Sequence, residues 1–208
     1  MKIDKIVNEI AQENTYILSN STFSLLIDPG SQPDKIIEKL KEINKPLAAI
    51  LLTHAHFDHI MGLDTIKEAH PQALVLLHES EKDWLTHPEL NASTLMMGEP
   101  VTCKTTVDEY YTCNTPYSFS GLEFSVRHTP GHSPGGVSFV FKQEGIVFSG
   151  DTLFSGSIGR TDLIGGNHEQ LLQSIKQELF SLPDDCIVYP GHGPSTTIGK
   201  EKLYNPFF

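Results

Sequence analysis

The segment Thr53-His54-Ala55-His56-Phe57-Asp58-His59 constrains this chain more than any other feature, because four side chains that can bind metal fall within six positions. The segment directly follows an apolar run, residues 47–52, which predicts a buried strand. His54 and His56 would lie on one face of an extended chain, whereas Asp58 and His59 require a bend to reach the same place. Such a turn can bring two ligands to each of two adjacent metal ions. The alternative, a histidine-rich surface loop, does not account for this spacing.

Three further side chains, His132, Asp151 and His192, each follow a predicted strand and stand beside glycine, in TPGHS, SGDT and PGHG. Strand ends of an open sheet can face one crevice, which is where such folds build their sites. Glycine permits the sharp turns and close backbone approaches that ligand-bearing loops need. Alone, each of the three would more often be a capping or core residue. With the heptad they form a set of seven candidate ligands.

Six motifs, THAHFDH, TPGHSPG, FSGDTLF, SGSIGRTDL, YPGHGP and the terminal NPFF, are spread over residues 53–208. With these motifs the chain resembles the metallo-β-lactamase-fold hydrolases, and among them the short glyoxalase II-like (hydroxyacylglutathione hydrolase-like) enzymes. The resemblance implies an α/β fold, the αβ/βα four-layer sandwich, with metals at one edge between the sheets. It also implies the ligands: His54, His56 and His132 for the first metal, Asp58, His59 and His192 for the second, and Asp151 bridging both.

A binuclear metallohydrolase follows from this ligand set. The expected cofactors are two divalent metal ions, zinc first, with iron and manganese as alternatives because histidine and aspartate ligands suit all three. Two cations that share Asp151 would lower the pKa of a shared water and supply a bridging hydroxide as the nucleophile. Asp58 is the candidate catalytic carboxylate for orienting that water and accepting its proton. Thr53 and Asp28 are weaker candidates for holding the ligating imidazoles, and strand capping is an equal alternative for Asp28.

The resemblance also implies a substrate class. Glyoxalase II-like enzymes hydrolyse acyl thioesters such as S-lactoylglutathione to a hydroxy acid and a thiol, so a small-molecule thioester is expected here. β-Lactams fit less well, because the β-lactamases of this fold lack the bridging aspartate. We expect no C-terminal helical domain of the kind that supplies glutathione-binding surface in full-length glyoxalase II. Two alternatives stay open: a mononuclear-iron enzyme like the persulfide dioxygenases, which share a Gly-Arg-Thr-Asp segment, and a non-catalytic metal-binding module.

Arg160 is the candidate substrate-binding residue. It lies nine residues beyond Asp151, in a glycine-rich loop predicted to leave the same edge of the sheet. A guanidinium there can pair with a substrate carboxylate. The equal alternative is an internal salt bridge with Asp162 that fixes the loop.

Length and composition predict the number of domains, the partners, the compartment and the state of the cysteines. A chain of 208 residues without a linker predicts one domain, 1–208. The net charge of −11, with only two arginines, disfavours nucleic acid as a partner. No apolar stretch matches a signal peptide or a membrane span, so no membrane partner is expected and the cytoplasm is the predicted compartment. The three cysteines are odd in number and lack CxxC spacing, which predicts reduced thiols.

Periodicity and turn signals place the remaining elements. The predicted strands are residues 14–19, 23–28, 73–77, 123–128, 137–141 and 146–148, and the predicted helices are residues 33–43, 63–70 and 168–182. Residues 80–116 lack clean periodicity and predict an irregular excursion, which either folds over the crevice or closes a satellite core. The histidines that lack the flanking pattern of the ligands are predicted to be surface or cap residues: His70, His78, His87, His128 and His168.

Overall fold

The computed structural model of the protein describes residues 1–119 and 121–208. The chain forms two compact units, one comprising Met1–Tyr111 and Ser118–Leu122, the other Thr112–Tyr117 and Glu123–Phe208. We call them the first and second unit. Strands and helices are mixed in both, so the predicted α/β class is confirmed. The expectation of a single domain over 1–208 stays a prediction.

The first unit is built on a six-stranded sheet in the order β1 to β6. Its strands are β1 (Lys2–Val7), β2 (Asn14–Ser19), β3 (Ser24–Ile27), β4 (Leu47–Leu51), β5 (Leu74–Leu77) and β6 (Glu109–Tyr110). The first three strands are antiparallel, and β3 to β6 run parallel to one another. Its helices are α1 (Pro33–Ile43), α2 (Phe57–Ile60), α3 (Leu63–Ala69) and α4 (Ser93–Met97), with one 3₁₀ turn, Glu79–Glu81.

Local signals define α1, which has the bounds that the sequence predicts. Pro33 stands at its first turn, where a missing N–H costs nothing, and Asn44 ends it in a left-handed conformation with φ of 51°. Ile36 and Leu40, four residues apart, are buried in the core of the first unit. The periodic apolar positions therefore decide which helix face packs on the sheet.

A second six-stranded sheet has the order β14-β13-β10-β9-β8-β7. Its strands are β7 (Pro116–Phe119), β8 (Leu122–His128), β9 (Val137–Phe141), β10 (Ile146–Gly150), β13 (Ile187–Pro190) and β14 (Thr196–Thr197), beside a hairpin of β11 (Leu153–Phe154) and β12 (Ser157–Ile158). Helix α5 (His168–Ser174) continues into a π-helical turn, Ile175–Leu179, and α6 spans Ile198–Tyr204. The predicted helix over residues 168–182 is thus found in two parts.

Strand direction determines where the candidate ligands lie within each unit. In the first unit β3 and β4 are parallel, so Asp28 and Thr53 emerge at the same edge of the sheet. In the second unit β10 is parallel to β13 and antiparallel to β9, which is antiparallel to β8. The loops after β8, β10 and β13 therefore leave one edge, as the sequence predicts. No helix among the described residues has the length and apolar character that crossing a membrane requires.

Residues 80–116 pack apolar side chains against the first unit, which is one of the two predicted possibilities, while folding over the crevice stays a prediction. Trp84, Leu85 and Cys103 are buried in the core cluster of the first unit, which confirms the apolar packing. Leu95 and Met96 on α4 remain 71% and 47% exposed. The excursion is therefore packed into the core at Trp84, Leu85 and Cys103, and it exposes Leu95 and Met96 between them.

Candidate metal centre

The ligand loop of the first unit, residues 53–59, is fully buried. His54, His56 and His59 are 1%, 3% and 0% exposed, and Asp58 is 7% exposed. The rings of His54 and His59 lie 4.2 Å apart between centroids, and those of His54 and His56 lie 4.8 Å apart. The bend that the sequence requires is α2, which begins at Phe57 and carries both Asp58 and His59. The loop thus brings all four predicted ligands of this unit together.

Asp28 organises this loop through its carboxylate. Its Oδ1 accepts the backbone N–H of Thr53 at 2.7 Å, and its Oδ2 accepts the Thr53 hydroxyl at 2.6 Å. The same Oδ2 lies 3.0 Å from Nδ1 of His59. Asp28 has a φ of +51°, an uncommon conformation for a residue with a side chain, and such strain recurs at functional sites. Asp28 therefore holds both Thr53 and the His59 ring, a role for which the sequence offered it only as a weaker candidate.

The hydrogen bonds of Asp28 also determine the orientation of two ligating rings. The Thr53 hydroxyl donates to Asp28, so it accepts from Nδ1 of His54, 3.1 Å away. His59 likewise donates its Nδ1–H to Asp28. With Nδ1 protonated, Nε2 is the nitrogen of each ring that suits a metal ion. Nε2 of His59 lies 3.8 Å from Oδ2 of Asp58, a separation that two ligands of one ion can have.

A second buried carboxylate, Glu13, lies behind Asp28. Its Oε2 accepts from the Asn8 amide at 2.6 Å and lies 3.1 Å from the Thr15 hydroxyl oxygen, and its Oε1 is 3.9 Å from Nδ1 of His59. Complete burial raises the pKa of Glu13 well above its ordinary value, and the nearby His59 opposes this shift. Thr15 also donates to the backbone carbonyl of Asp28 at 2.7 Å, which fixes the turn after β3. This network was not predicted, because the sequence around β2 indicates only a strand.

The ligands of the second unit meet around one carboxylate. Oδ2 of Asp151 lies 3.5 Å from Nε2 of His132 and 3.3 Å from Nε2 of His192. Nδ1 of His132 lies 2.7 Å from the backbone carbonyl of Arg160 and donates to it, which directs Nε2 toward Asp151. His192 is the most exposed of the three, with 25% of its side chain accessible. All three predicted ligands of this unit are therefore adjacent.

Glycines near these ligands permit close backbone approaches, as the sequence predicts. A Cβ on Gly131, beside His132, would lie 2.3 Å from the backbone nitrogen of Leu171, and its φ of +132° is open only to glycine. A Cβ on Gly159 would lie 1.8 Å from the carbonyl oxygen of Asp151. Side chains at these two positions would displace the loops that carry the ligands.

The guanidinium of Arg160 is engaged by Asp162. Nε lies 2.7 Å from Oδ1 and Nη2 lies 2.8 Å from Oδ2, a bidentate pair. The Arg160 bond holds the pKa of Asp162 down at about 2. This is the internal salt bridge that the sequence analysis offered as the alternative, while a substrate role for Arg160 stays a prediction.

The other histidines have local roles. His78 caps the 3₁₀ turn by accepting from Ser80 N–H at 3.2 Å, and His70 is the C-terminal cap of α3. His87 is 2.8 Å from the Asp83 carbonyl, and Nε2 of His128 is 2.9 Å from the Pro134 carbonyl. His168 starts α5. None of these roles requires a metal, which agrees with the prediction that these histidines are surface or cap residues.

Residues 9–192 match the family model of the metallo-beta-lactamase superfamily. The chain belongs to this superfamily. Its members bind divalent metals, and the imidazole and carboxylate groups clustered in each unit fit such ions. The membership also confirms the predicted metallo-β-lactamase fold.

Two curated relatives in this superfamily match over nearly their whole length. The chain is 50% identical to a probable metallo-hydrolase of Streptococcus pyogenes, covering 100% of this chain and 90% of the relative. It is 34% identical to the hydroxyacylglutathione hydrolase GloC of Haemophilus influenzae, covering 100% and 98%.

Two solved structures are similar in fold and sequence. The BLEG-1 B3 metallo-beta-lactamase matches with a TM-score of 0.95 and 43% identity, covering 99% of both chains. TTHA1623, determined in a di-iron-bound form, matches with a TM-score of 0.84 and 36% identity, covering 99% of this chain and 100% of the other.

Proposed function

We propose that this protein is a metal-dependent hydrolase whose seven candidate ligands, four from the first unit and three from the second, bind two divalent metal ions. The ligands are His54, His56 and His132 for one ion, Asp58, His59 and His192 for the other, and Asp151 for both. One observation carries the proposal: His54, His59 and His132 each have Nδ1 held by an oxygen, of Thr53, Asp28 and Arg160 respectively. Protein metal sites orient their imidazoles in this way so that Nε2 meets the metal.

Zinc is the proposed metal, with iron and manganese as alternatives. Imidazole and carboxylate ligands suit all three ions, so the donor set alone does not select one. The di-iron form of TTHA1623 supports the iron alternative and the binuclear stoichiometry.

When bound, the two ions would supply an activated water and polarise a carbonyl group. The remaining work belongs to the chain. Asp58 is placed beside His59 with its side chain 10% exposed, so its carboxylate can orient a water and accept its proton while solvent is largely excluded. Asp28 and Thr53 keep the ligating rings in one tautomer during that proton transfer.

Thioester hydrolysis of the glyoxalase II type is the reaction we propose, with S-lactoylglutathione or a related acyl thioester as the small-molecule substrate. The similarity to a hydroxyacylglutathione hydrolase along nearly the full length of both chains supports this class. Asp151, which lies 3.5 Å from His132 and 3.3 Å from His192, would be the carboxylate shared by the two ions in such a thioesterase. The absence of nucleic-acid and membrane partners and the cytoplasmic compartment stay predictions.

β-Lactam hydrolysis is a second candidate, because the chain is 43% identical to the BLEG-1 B3 metallo-beta-lactamase. A carbonyl in a strained amide can be attacked by the same activated water as a thioester carbonyl. The two activities therefore need a direct comparison on the same preparation.

The test begins with apo protein reconstituted separately with zinc, iron and manganese, followed by elemental analysis. Thiol release from S-lactoylglutathione is measured under anaerobic conditions, beside ring opening of a chromogenic cephalosporin and oxygen uptake with a persulfide. We expect two metals per chain, oxygen-independent thiol release and slower cephalosporin opening. Asp151→Ala should lose the paired metals and nearly all turnover, whereas Asp185→Ala, an exposed carboxylate of the same unit, should retain both.

Other outcomes contradict the proposal in distinct ways. One metal in reconstituted wild type, unchanged in Asp151→Ala, would eliminate the binuclear site. One iron with oxygen uptake would replace the hydrolase with a dioxygenase. Two bound metals without turnover of any substrate would leave a metal-binding module.

A further inference from the structure

The backbone of the ligand loop of the first unit forms hydrogen bonds with the excursion at residues 80–116. The backbone N–H of Ala55 donates to Oε2 of Glu81 at 2.6 Å, and the backbone N–H of Phe57 donates to the carbonyl of Asn91 at 3.0 Å. Ala55 and Phe57 are the two residues that alternate with the candidate ligands His54, His56 and Asp58. The excursion therefore fixes the backbone between the ligands, whereas Asp28 fixes Thr53 at the start of the loop.

Glu81 is an unusual residue for this position because its side chain is 0% exposed. Transferring a carboxylate out of water costs free energy unless it gains strong hydrogen bonds. The bond to Ala55 is short, and hydrogen bonds from backbone N–H groups to a carboxylate are among the stronger ones. Glu81 ends a 3₁₀ turn whose other acidic residue, Glu79, is exposed. Of the two acidic residues on this turn, the buried one is the one that contacts the ligand loop.

The part of the excursion that holds Phe57 is itself well fixed. The Asn91 amide donates to the carbonyls of Trp84 at 3.1 Å and Val101 at 2.9 Å, and its Oδ1 accepts from Ser93 N–H at 3.1 Å. The Trp84 ring lies 5.4 Å from the ring of His56 between centroids. Three successive residues of the loop, 55 to 57, thus each contact the excursion.

We propose that Glu81 is a positioning residue for the metal ligands, acting through the backbone of Ala55. Its carboxylate fixes the peptide between His54 and His56 and so determines how closely their rings approach a shared ion. The proposal rests on the proposed metal site and extends it: the excursion tunes metal affinity as well as closing the core. Removing a group that hydrogen-bonds to the ligands of a metal site typically lowers the affinity for the metal about 10- to 100-fold.

The test compares zinc binding by apo protein in four variants. Glu81→Ala removes the acceptor, and Glu81→Asp keeps the charge but withdraws it by one bond, about 1.5 Å. Glu81→Gln keeps an oxygen acceptor of the same length. Glu79→Ala is the matched control on the same 3₁₀ turn. Isothermal titration gives the zinc affinities, and the melting temperature of each apo protein separates positioning from stability.

We expect Glu81→Ala and Glu81→Asp to weaken one of the two zinc-binding steps about 10- to 100-fold. Glu81→Gln should recover more affinity than alanine, and Glu79→Ala should match wild type. If Glu81→Ala fails to fold, the zinc affinity of Glu81→Asp tests the proposal. Wild-type zinc affinity in Glu81→Asp, or in a folded Glu81→Ala, would overturn the proposal while leaving the metal site intact. Wild-type protein that binds no zinc, iron or manganese would instead overturn the proposed function.

Discussion

The carboxylate of Asp28 accepts a hydrogen bond from Nδ1 of His59 at 3.0 Å across 31 residues of sequence. The same carboxylate holds Thr53, whose hydroxyl in turn accepts from His54. One buried side chain at the end of β3 therefore determines the tautomer of two ligating rings. Its left-handed backbone conformation is maintained by these bonds and by Thr15 behind it.

Replacing Asp28 by asparagine should reduce both metal binding and stability. An amide offers one oxygen where three donors now meet a carboxylate, so at least one buried donor loses its acceptor. We expect zinc affinity to fall about 10- to 100-fold and the free energy of unfolding to fall by about 1–3 kcal/mol. Titration calorimetry and urea unfolding measure the two effects. Asp83→Asn, an exposed substitution in the same unit, serves as control, and unchanged zinc binding in Asp28→Asn would refute the orienting role.

Replacing Asp58 by asparagine should separate binding from chemistry. Asparagine has a similar size and can remain near the metal, but its amide accepts a proton poorly. For protein that retains its metals, we expect kcat to fall by about a hundred- to ten-thousand-fold. Steady-state kinetics on metal-analysed samples measures this change. Wild-type kcat in a fully loaded Asp58→Asn enzyme would show that the carboxylate is only a ligand.

Replacing Arg160 by lysine should loosen the loop that supports His132. Lysine cannot bind both oxygens of Asp162, and the backbone carbonyl of Arg160 is the acceptor for Nδ1 of His132. We expect S-lactoylglutathione and a small uncharged thioester to lose turnover alike, with a lower melting temperature. The pKa of Asp162, held at about 2, should rise toward its ordinary value in an NMR titration.

A different kinetic pattern would favour the substrate-binding interpretation of Arg160. In that case KM would rise for S-lactoylglutathione alone, with the uncharged thioester and the melting temperature unaffected.

The low pKa of Asp162 means that the Arg160–Asp162 ion pair contributes stability above the ordinary aspartate pKa. That contribution is lost as the pH falls toward 2.

Cys103 should resist thiol reagents in the folded protein. Burial, with the charge of Asp64 as a smaller cause, raises the pKa of the Cys103 thiol to about 12. Its thiolate is therefore scarce at pH 8, and iodoacetamide followed by peptide mass spectrometry should label Cys103 only after unfolding. Because the folded pKa is the higher one, this thiol contributes stability below pH 9 and loses it as the pH rises toward 12. Rapid labelling of native Cys103 at pH 8 would contradict the burial.

Several elements could be predicted because their signals are local. Helix α1 has Pro33 at its start, a 3.6-residue apolar period and Asn44 at its end, and its bounds match the prediction. Helix α6, Ile198–Tyr204, was missed, since Leu203 and Tyr204 are each 75% exposed and blur its apolar face. The π-helical turn after α5 was also missed, because the apolar residues continue through it without a change of pattern.

The sequence by itself determined the family, the seven candidate ligands and the strand ends from which they emerge. Those features depend on residue type and on spacing within a few positions, which the chain displays directly. Only the tertiary structure placed Glu13 and Glu81 beside the ligand loop, although 46 and 26 positions separate them from His59 and Ala55. It also decided between the two roles that the sequence left open for Asp28, which holds Thr53 and His59. Such contacts depend on strand order and helix packing across distant segments. No local pattern distinguishes Glu81, which is buried, from Glu79, which is exposed on the same turn.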